Sequence, residues 1–186
     1  MIYTQSVSDL DKKLIDDILK IDSLVYPEHL QGTFDEVHGR FKVNREMFVL
    51  LYDQSQLIGY LCFFPIKEAL YERIINEDMV FDSDIEGEMV EAYETGKTYK
   101  LYFLSVAIHP DYHGKGLSKL LVDGTCKFLE QKIKEGINFC TALITSVSPE
   151  GEALAKKLEF IEVKRLSCGY TVHEININEL LRRKNI

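Results

Sequence analysis

One continuous segment in the middle of the sequence constrains the fold more than any other. An apolar strand is predicted at residues 99–108 and an amphipathic helix at residues 117–135, and a loop with two glycines joins them. Gly136 stands where helices typically end, and a further apolar strand is predicted at residues 139–144. A strand, a helix and a strand in this order predict a parallel β-α-β crossover, which is right-handed in nearly all known cases.

The elements predicted around this crossover indicate one α/β (α+β) domain. Further strands are predicted at residues 2–5, 47–52, 57–64, 160–166 and 170–175, and further helices at residues 8–24, 34–43, 69–75, 84–93, 149–158 and 178–184. Ser8 is predicted to cap the first helix, and Ser148 the helix that begins at Pro149. The order of the elements predicts a mixed, mainly antiparallel sheet with the parallel β-α-β unit at its centre.

An acidic segment lies between the predicted hairpin and the central strand. It is interpreted as an insertion at about residues 67–97 within a single domain of residues 1–186. Its carboxylates are Glu77, Asp78, Asp82, Asp84, Glu86, Glu88, Glu91 and Glu94. A charge run of this kind is either a solvated surface or a collar that attracts a cationic amine, and the sequence leaves both interpretations open.

The composition argues against several classes of protein. The formal net charge of −8 disfavours nucleic acid as a partner and fits a cationic substrate better. The sequence shows no basic leader with an apolar core and no run long enough to span a bilayer, so a cytoplasmic location without a membrane partner is expected. No metal site is expected, because the cysteines form no C-x-x-C pair and have no histidine at zinc-ligand spacing. They are Cys62, Cys126, Cys140 and Cys168.

The loop at residues 113–118, His-Gly-Lys-Gly-Leu-Ser, carries the clearest chemical signal of the sequence. Gly114 and Gly116 have no Cβ, so a ligand can approach their backbone closely. The first amides of the following helix have no intrahelical partner, and the helix dipole adds partial positive charge there. Lys115 and Lys119 can add further positive charge. These features predict a diphosphate site, although the loop lacks the Gly-Lys-Ser/Thr ending of a P-loop and the third glycine of a dinucleotide fingerprint.

The longer string Leu104–Leu121 resembles the acetyl-CoA-binding motif of the GNAT acetyltransferase superfamily. That motif consists of an apolar strand, the pattern Pro-x-x-Arg/Gln-Gly-x-Gly-x-Gly/Ala and an amphipathic helix. Pro110 and the two glycines match the pattern, whereas His113 stands at the Arg/Gln position and Ser118 at the last small position. Both departures are mild, since the contacts at these positions are expected mainly from backbone amides.

The resemblance implies a GNAT-like acyl-CoA N-acyltransferase fold. It also implies an enzyme that transfers the acetyl group of acetyl-CoA, its co-substrate, to a primary amine of a small molecule or peptide. The implied cofactor-binding residues are Val106, Ala107 and Ile108, whose backbone would pair with the pantetheine arm, and His113, Gly114, Lys115, Gly116, Leu117, Ser118, Lys119 and Ser148. A homodimer is a further expectation, since family members are often dimers. A non-catalytic acyl-CoA-binding regulatory module on the same fold remains an alternative.

The segment Ser148–Phe160 resembles a second family segment, Asn-x-x-Ala-x-x-Leu-Tyr-x-x-x-Gly-Phe, only in part. Ala155 stands where many members carry a tyrosine that protonates the leaving thiolate, so this residue cannot supply that proton. The candidate catalytic residues are Tyr102, on the strand before the loop, and Tyr170, in the last strand pair. For Tyr102 a packed aromatic residue is the preferred interpretation, and Tyr170 is a candidate acid. Glu28, His29 and His173 are further candidates that the sequence leaves open.

Overall fold

The computed structural model describes residues 1–183. Its strands are β1 (Ile2–Val7), β2 (Phe48–Asp53), β3 (Gln56–Ile66), β4 (Thr98–Ile108), β5 (Asn138–Ser146), β6 (Ile161–Arg165) and β7 (Thr171–Asn176). Its α-helices are α1 (Lys12–Val25), α2 (Phe34–Val43), α3 (Glu68–Asn76), α4 (Ser118–Lys134), α5 (Pro149–Lys157) and α6 (Ile177–Arg182). The helix predicted to end at Lys184 thus reaches beyond the described residues at its last position.

The strands form one sheet in the order β1-β2-β3-β4-β5-β7-β6. Strands β4 and β5 pair in parallel, and every other neighbouring pair of this sheet is antiparallel. Helix α4 connects the two parallel strands, as the β-α-β pattern predicts. The predicted mixed, mainly antiparallel sheet with a central parallel crossover is therefore confirmed.

Helices cover both faces of the sheet with the apolar sides that their spacing predicts. On one face, Ile15, Ile18 and Ile21 of α1 pack with residues of α2 and α3 against the sheet. On the other face, Leu121 and Leu129 of α4 pack with residues of α5 and α6. The sheet is thus buried on two sides, which explains why its central strands are almost continuously apolar. Among the helices of residues 1–183, none combines the length and the apolar character needed to cross a bilayer.

Strand β4 separates from β5 partway along its length. The last pair between the two strands is Phe103 with Ile144, although β4 continues to Ile108. Leu104 follows as an extra residue in the ladder between β4 and β3. A β-bulge of this kind bends the strand that carries it and increases its twist. Residues 105–108 therefore pair with β3 along one edge and turn an open edge toward the gap beside β5.

The first helix begins later than predicted, and Ser8 is not its cap. Helix α1 begins at Lys12, and the side chain of Asp11 caps it by accepting a hydrogen bond from the Leu14 amide at 2.7 Å. Both serine and aspartate are favoured caps, so residue type alone does not select between them. The apolar spacing within the helix fixes its face but leaves its first turn undetermined.

The helix predicted at residues 84–93 is absent, and this prediction is wrong. Short 3-10 turns at residues 82–84 and 87–89 replace it. The Arg40 guanidinium donates to the backbone carbonyls of Asp82 and Ile85, both at 3.1 Å, which gives them partners outside a helix. A long-range contact from α2 therefore determines the local structure of this acidic segment.

Candidate functional site

A cavity of about 700 Å³ lies at the point where β4 and β5 separate. Residues of β4, β5, α1, α2 and the loop before α4 line it. The part lined by His113, Gly114, Gly116, Leu117 and Ser118 is called the loop end here. The part lined by Asp22, Arg40 and Asp82 is called the buried end. The open edge of β4 lies between the two.

The loop end presents backbone amides. Within residues 1–183, the amides of residues 114–117 donate no hydrogen bond to another backbone group, whereas those of Tyr112 and His113 close a 3-10 turn. Gly114 and Gly116 have φ angles of +74° and +70°, in the left-handed region that favours glycine. A Cβ at either glycine would meet no atom within 4 Å, so the space above the loop is open. Unpaired amides at the start of a long helix suit an anion, and the loop therefore fits a diphosphate.

The charged side chains of the loop contribute less to this cradle than its backbone does. Lys115 Nζ donates to the Asp111 carbonyl at 3.0 Å and lies 4.5 Å from the centroid of the Tyr112 ring. Neither Lys115 nor Lys119 is among the residues that line the cavity. His113, in contrast, lines it and places Nε2 2.7 Å from the Ile108 carbonyl oxygen. In this conformation the charge of Lys115 is directed at Asp111 and not at the cavity.

The open edge of β4 already has hydrogen-bond partners. Val106 and Ile108 line the cavity, while the side chain of Ala107 is buried in the cluster on the α1 face. The Tyr26 hydroxyl donates to the Val106 carbonyl at 2.9 Å and ties the end of α1 to this edge. An extended ligand arm that pairs with this edge must therefore share or displace the contacts of Tyr26 and His113.

Two serines of the β5–α5 connection face the same cavity. Ser148 caps α5 by accepting a hydrogen bond from the Gly151 amide at 3.1 Å, which confirms the predicted cap. The Oγ of Ser146 is buried and has no hydrogen-bond partner within residues 1–183. Because a buried hydroxyl without a partner costs free energy, Ser146 suits a ligand group that supplies one. The sequence does not single out Ser146, since an isolated serine at a strand end has no distinctive pattern.

At the buried end, Asp22 lies on the inner face of α1 and is only 7% exposed. The Tyr60 hydroxyl donates to one carboxylate oxygen, and the Gly32 amide lies 3.4 Å from the other. The side chain of Ser105 on β4 also lies close to the Tyr60 hydroxyl. Burial raises the pKa of Asp22 to about 6, although the hydrogen bonds from Tyr60 and Gly32 oppose this rise.

A second carboxylate at the buried end is paired with a buried arginine. Arg40 is 1% exposed, and its Nη2 lies 2.9 Å from an oxygen of Asp82. Burial raises the pKa of Asp82, and the guanidinium of Arg40 opposes this rise. Asp22, Asp82 and Arg40 together carry one net negative charge when all three are ionised, because two carboxylates face one guanidinium. The buried end therefore favours a cation over an anion.

Most of the acidic segment is surface, and one of its carboxylates reaches the cavity. Among the eight carboxylates of residues 77–94, only Asp82 lines the cavity. Four others have partners outside the cavity: Glu77 with Arg73, Asp78 with Ser167, Asp84 with the amide of Phe81, and Glu94 with Lys97. The structure thus favours the solvated-surface interpretation for these four residues. Of the proposed collar, Asp82 is the carboxylate placed to attract an amine into the cavity.

The two tyrosines proposed for catalysis lie in different surroundings. Tyr102 lines the cavity and donates a hydrogen bond to Thr145 Oγ1 at 2.9 Å, and burial raises its pKa to about 12. Tyr170 packs against the hydrophobic cluster on the α1 face and is not among the cavity-lining residues. Ala155 is fully buried in the opposite cluster. Tyr102 is thus better placed than Tyr170 to reach a ligand in the cavity, and the catalytic role of each tyrosine remains a prediction.

The remaining candidates lie outside the cavity lining. His173 is buried and places Nε2 2.9 Å from a carboxylate oxygen of Glu152. Glu28 and His29 are exposed in a 3-10 turn after α1. The side chains that do line the buried end come from separate segments, and sequence patterns do not single out Tyr60 or Ser105.

Two residues of the buried end, Asp22 and Arg40, left a signal in the sequence. Asp22 follows Ile18 by four positions, so it lies on the buried side of an amphipathic helix. A carboxylate on the apolar face of a helix is unusual and marks a candidate site. Arg40 stands in the same way between the buried residues Val37 and Phe41 of α2.

Comparisons with known proteins agree with this geometry. The sequence profile described as "Acetyltransferase (GNAT) family" matches residues 15–160. No curated protein matches the sequence. The fold is similar to that of the ribosomal-protein-S18-alanine N-acetyltransferase from Escherichia coli, with a TM-score of 0.60 and 13% identity over 95% of this chain and 94% of that one.

Two further solved structures are similar over almost the whole chain. Arabidopsis thaliana Naa50, solved with the bisubstrate analogue CoA-Ac-MVNAL, gives a TM-score of 0.62 at 11% identity and covers 94% of this chain and 97% of its own. FeeM, an N-acyl amino acid synthase from uncultured soil microbes, gives a TM-score of 0.65 at 10% identity and covers 100% and 98%. At such low identity these structures show a shared fold, not a shared substrate.

The chain belongs to the GNAT acetyltransferase family, because the profile match extends over well over half of its residues. The members of this family are acyltransferases, and the fold is one that binds acetyl-CoA. The open glycine cradle and the unpaired amides of residues 114–117 fit the diphosphate of that molecule. Within residues 1–183, no group of side chains is arranged to hold a metal ion.

Proposed function

We propose that the protein is an N-acetyltransferase that transfers the acetyl group of acetyl-CoA to a primary amine of a small molecule or peptide. One observation carries this proposal. A single cavity joins an anion-binding loop to a buried, net negative end, and the open edge of β4 lies between them. A diphosphate and an amine are the two groups that such opposite ends select.

The loop end would hold the diphosphate through backbone amides. The residues proposed to bind coenzyme A are Val106, Ala107, Ile108, His113, Gly114, Lys115, Gly116, Leu117, Ser118, Lys119 and Ser148. Bound acetyl-CoA supplies an activated thioester carbon. The contribution of the protein is to hold that carbon and an amine in one narrow cavity, and this proximity lowers the barrier to acyl transfer.

The buried end would select the acceptor by charge. Asp22 and Asp82 both lie close to Gly32, since a Cβ at Gly32 would approach their Oδ2 atoms to 3.7 Å and 2.8 Å. Leu30, Val37 and Val80 add apolar surface to the lining. This combination suits a primary amine with an apolar neighbouring group better than it suits an acid. The cytoplasmic location and the homodimer stay predictions from the sequence.

A non-catalytic acyl-CoA-binding module is the second candidate. It is favoured by Ala155, which supplies no hydroxyl where many family members carry a tyrosine, and by the hydrogen bond that Tyr102 makes to Thr145. Such a module would keep the loop end and lack turnover. The two candidates therefore share the binding of the cofactor and differ in whether an acetyl group is transferred.

Calorimetry with coenzyme A and a thiol-release assay with acetyl-CoA separate these candidates. The acceptor panel consists of spermidine, kanamycin, free lysine and a peptide that begins with alanine. We expect micromolar binding of coenzyme A, together with thiol release that at least one amine accelerates. Binding without acceleration by any of the four amines would contradict the enzyme and support the module.

A further inference from the structure

Three side chains form a chain of contacts from the buried end to the open edge of β4. Asp22 of α1 accepts a hydrogen bond from the Tyr60 hydroxyl of β3, and the side chain of Ser105 on β4 lies close to that hydroxyl. All three residues line the cavity. Tyr60 is 1% exposed, so its hydroxyl is held in one place by packing. The chain thus joins the buried carboxylate to the strand where the thioester is expected.

We propose that Asp22 accepts the proton of the acceptor amine and that Tyr60 positions its carboxylate, an inference that rests on the acetyl transfer proposed above. A primary amine is an ammonium ion near neutral pH and must lose a proton before it can attack a carbonyl carbon. Asp82 has Arg40 as a cationic partner at 2.9 Å. Among the described residues that line the cavity, Asp22 is the buried carboxylate that has no ion pair.

The environment of Asp22 suits a base that works near neutral pH. The titratable and charged groups that face it are Tyr26, Arg40, Tyr60, Cys62 and Asp82. Burial and Asp82 raise the pKa of Asp22, whereas Tyr60, Gly32 and Arg40 lower it, and the balance lies at about 6. The carboxylate is therefore ionised above pH 6 and still basic enough to take a proton in the reaction.

Atoms and protons balance in the proposed step. The ammonium gives one of its three protons to the Asp22 carboxylate and becomes a neutral amine. Its nitrogen lone pair attacks the thioester carbon, so that a C–N bond forms and the C–S bond breaks. The nitrogen loses a second proton, which ends on the sulfur, and the products are an N-acetyl amide, the coenzyme A thiol and protonated Asp22. Asp22 then returns its proton to solvent.

The test compares four proteins in the thiol-release assay, with the most active amine of the four-member panel and acetyl-CoA, between pH 5 and pH 9. They are the wild type, Asp22→Asn, Tyr60→Phe and Asp17→Asn. Asp17 lies on the same helix and forms exposed ion pairs with Lys13 and Lys20, so Asp17→Asn is the matched control. Calorimetry with coenzyme A checks that each variant keeps the loop end intact.

For the wild type we expect kcat/KM to fall tenfold per pH unit below about pH 6. Asp22→Asn is expected to lower kcat at least about 100-fold and to abolish this acid limb, with binding of coenzyme A unchanged. The hydrogen bond from Tyr60 lowers the pKa of Asp22, so its loss in Tyr60→Phe should raise that pKa and move the acid limb to higher pH. A merely structural tyrosine would not move it. Asp17→Asn should behave as the wild type.

A second measurement needs neither acetyl-CoA nor turnover. Carbon-13 NMR of the side-chain carboxyl groups should show one resonance with a midpoint near pH 6 that is missing in Asp22→Asn. Saturation with the amine should lower that midpoint. A midpoint at the ordinary value near 4 would overturn the role of Asp22, and so would an unchanged midpoint with bound amine.

The outcomes separate this inference from the function on which it rests. If the wild type turns over an amine and Asp22→Asn stays within threefold of it with the same acid limb, the role of Asp22 is overturned alone. If the wild type binds coenzyme A but turns over none of the four amines, the proposed function is overturned and the role of Asp22 with it.

Discussion

The two ends of the cavity are built in opposite ways. The loop end comes from six consecutive residues, 113–118, and offers backbone amides at an exposed surface. The buried end comes from α1, β3, α2 and the acidic segment, and it offers the side chains of Asp22, Tyr60, Arg40 and Asp82. The cofactor is the same for every member of a family, so the backbone of a local motif can bind it. The acceptor differs between members, so its binding needs side chains that folding brings together.

The largest expected effect tests the loop end. Gly116→Asp places an anion where the diphosphate is expected and a side chain at φ +70°, which only glycine adopts freely. We expect the affinity for coenzyme A, measured by calorimetry, to fall about 100-fold or more. Gly96→Asp is the matched control, because Gly96 has φ +85°, has equally open space around it, and does not line the cavity. Equal affinity in Gly116→Asp and the wild type would contradict the assignment of the loop.

The next effect tests the buried end through stability. Folding raises the pKa of Asp22 from 3.8 to about 6, so the folded state binds this proton more tightly than the unfolded state. The ionised carboxylate therefore destabilises the fold progressively as the pH rises from about 4 to 6. Asp22→Asn removes this penalty, and we expect it to stabilise the protein by about 1–3 kcal/mol at pH 8.

Urea unfolding of Asp22→Asn and the wild type at pH 4 and pH 8 measures this difference. The advantage of the variant should fall below about 1 kcal/mol at pH 4, where the carboxyl group is protonated in the folded state and about half ionised in the unfolded state. Asp17→Asn should instead destabilise the protein at pH 8, because the hydrogen bonds from Lys13 and Lys20 lower the pKa of Asp17 and its ionised form stabilises the fold. A variant Asp22→Asn that is less stable than the wild type at pH 8 would show that the carboxylate serves the fold rather than the site.

The smallest effect sharpens the distinction between backbone and side chain at the loop end. Lys115 is exposed and directs its ammonium at the Asp111 carbonyl. The amides, and not this charge, are expected to bind the diphosphate. Lys115→Ala should therefore lower the affinity for coenzyme A less than about threefold at physiological salt. A loss that approaches that of Gly116→Asp would mean that Lys115 reorients toward the ligand and that its charge is a main determinant of affinity.

The same contrast explains what could be predicted from the sequence. The β-α-β crossover, the loop and the Ser148 cap depend on neighbours within a few residues, and the structure contains all three elements where the local patterns predict them. The prediction of a helix at residues 84–93 is wrong, and Arg40, more than forty positions away, binds the carbonyls of Asp82 and Ile85, of which the helix would need that of Ile85. Local propensity carries no information about such a contact.

The candidate site also has one part that local sequence patterns predict and one part that depends on long-range contacts. The motif predicts the cofactor loop residue by residue, whereas the chain Asp22–Tyr60–Ser105 joins three segments that only the sheet and α1 bring together. An open backbone edge at residues 106–108 is expected from the family resemblance alone. Its physical cause, the bulge at Leu104, has no signature in an apolar strand.

The central claim is that the amides of residues 114–117 bind the diphosphate of coenzyme A at one end of a cavity whose other end holds Asp22. A crystal structure of the protein with acetyl-CoA tests it most directly. We expect diphosphate oxygens within hydrogen-bond distance of these amides, and the thioester in the gap between β4 and β5. A diphosphate bound away from the loop, or a thioester outside the gap, would contradict it.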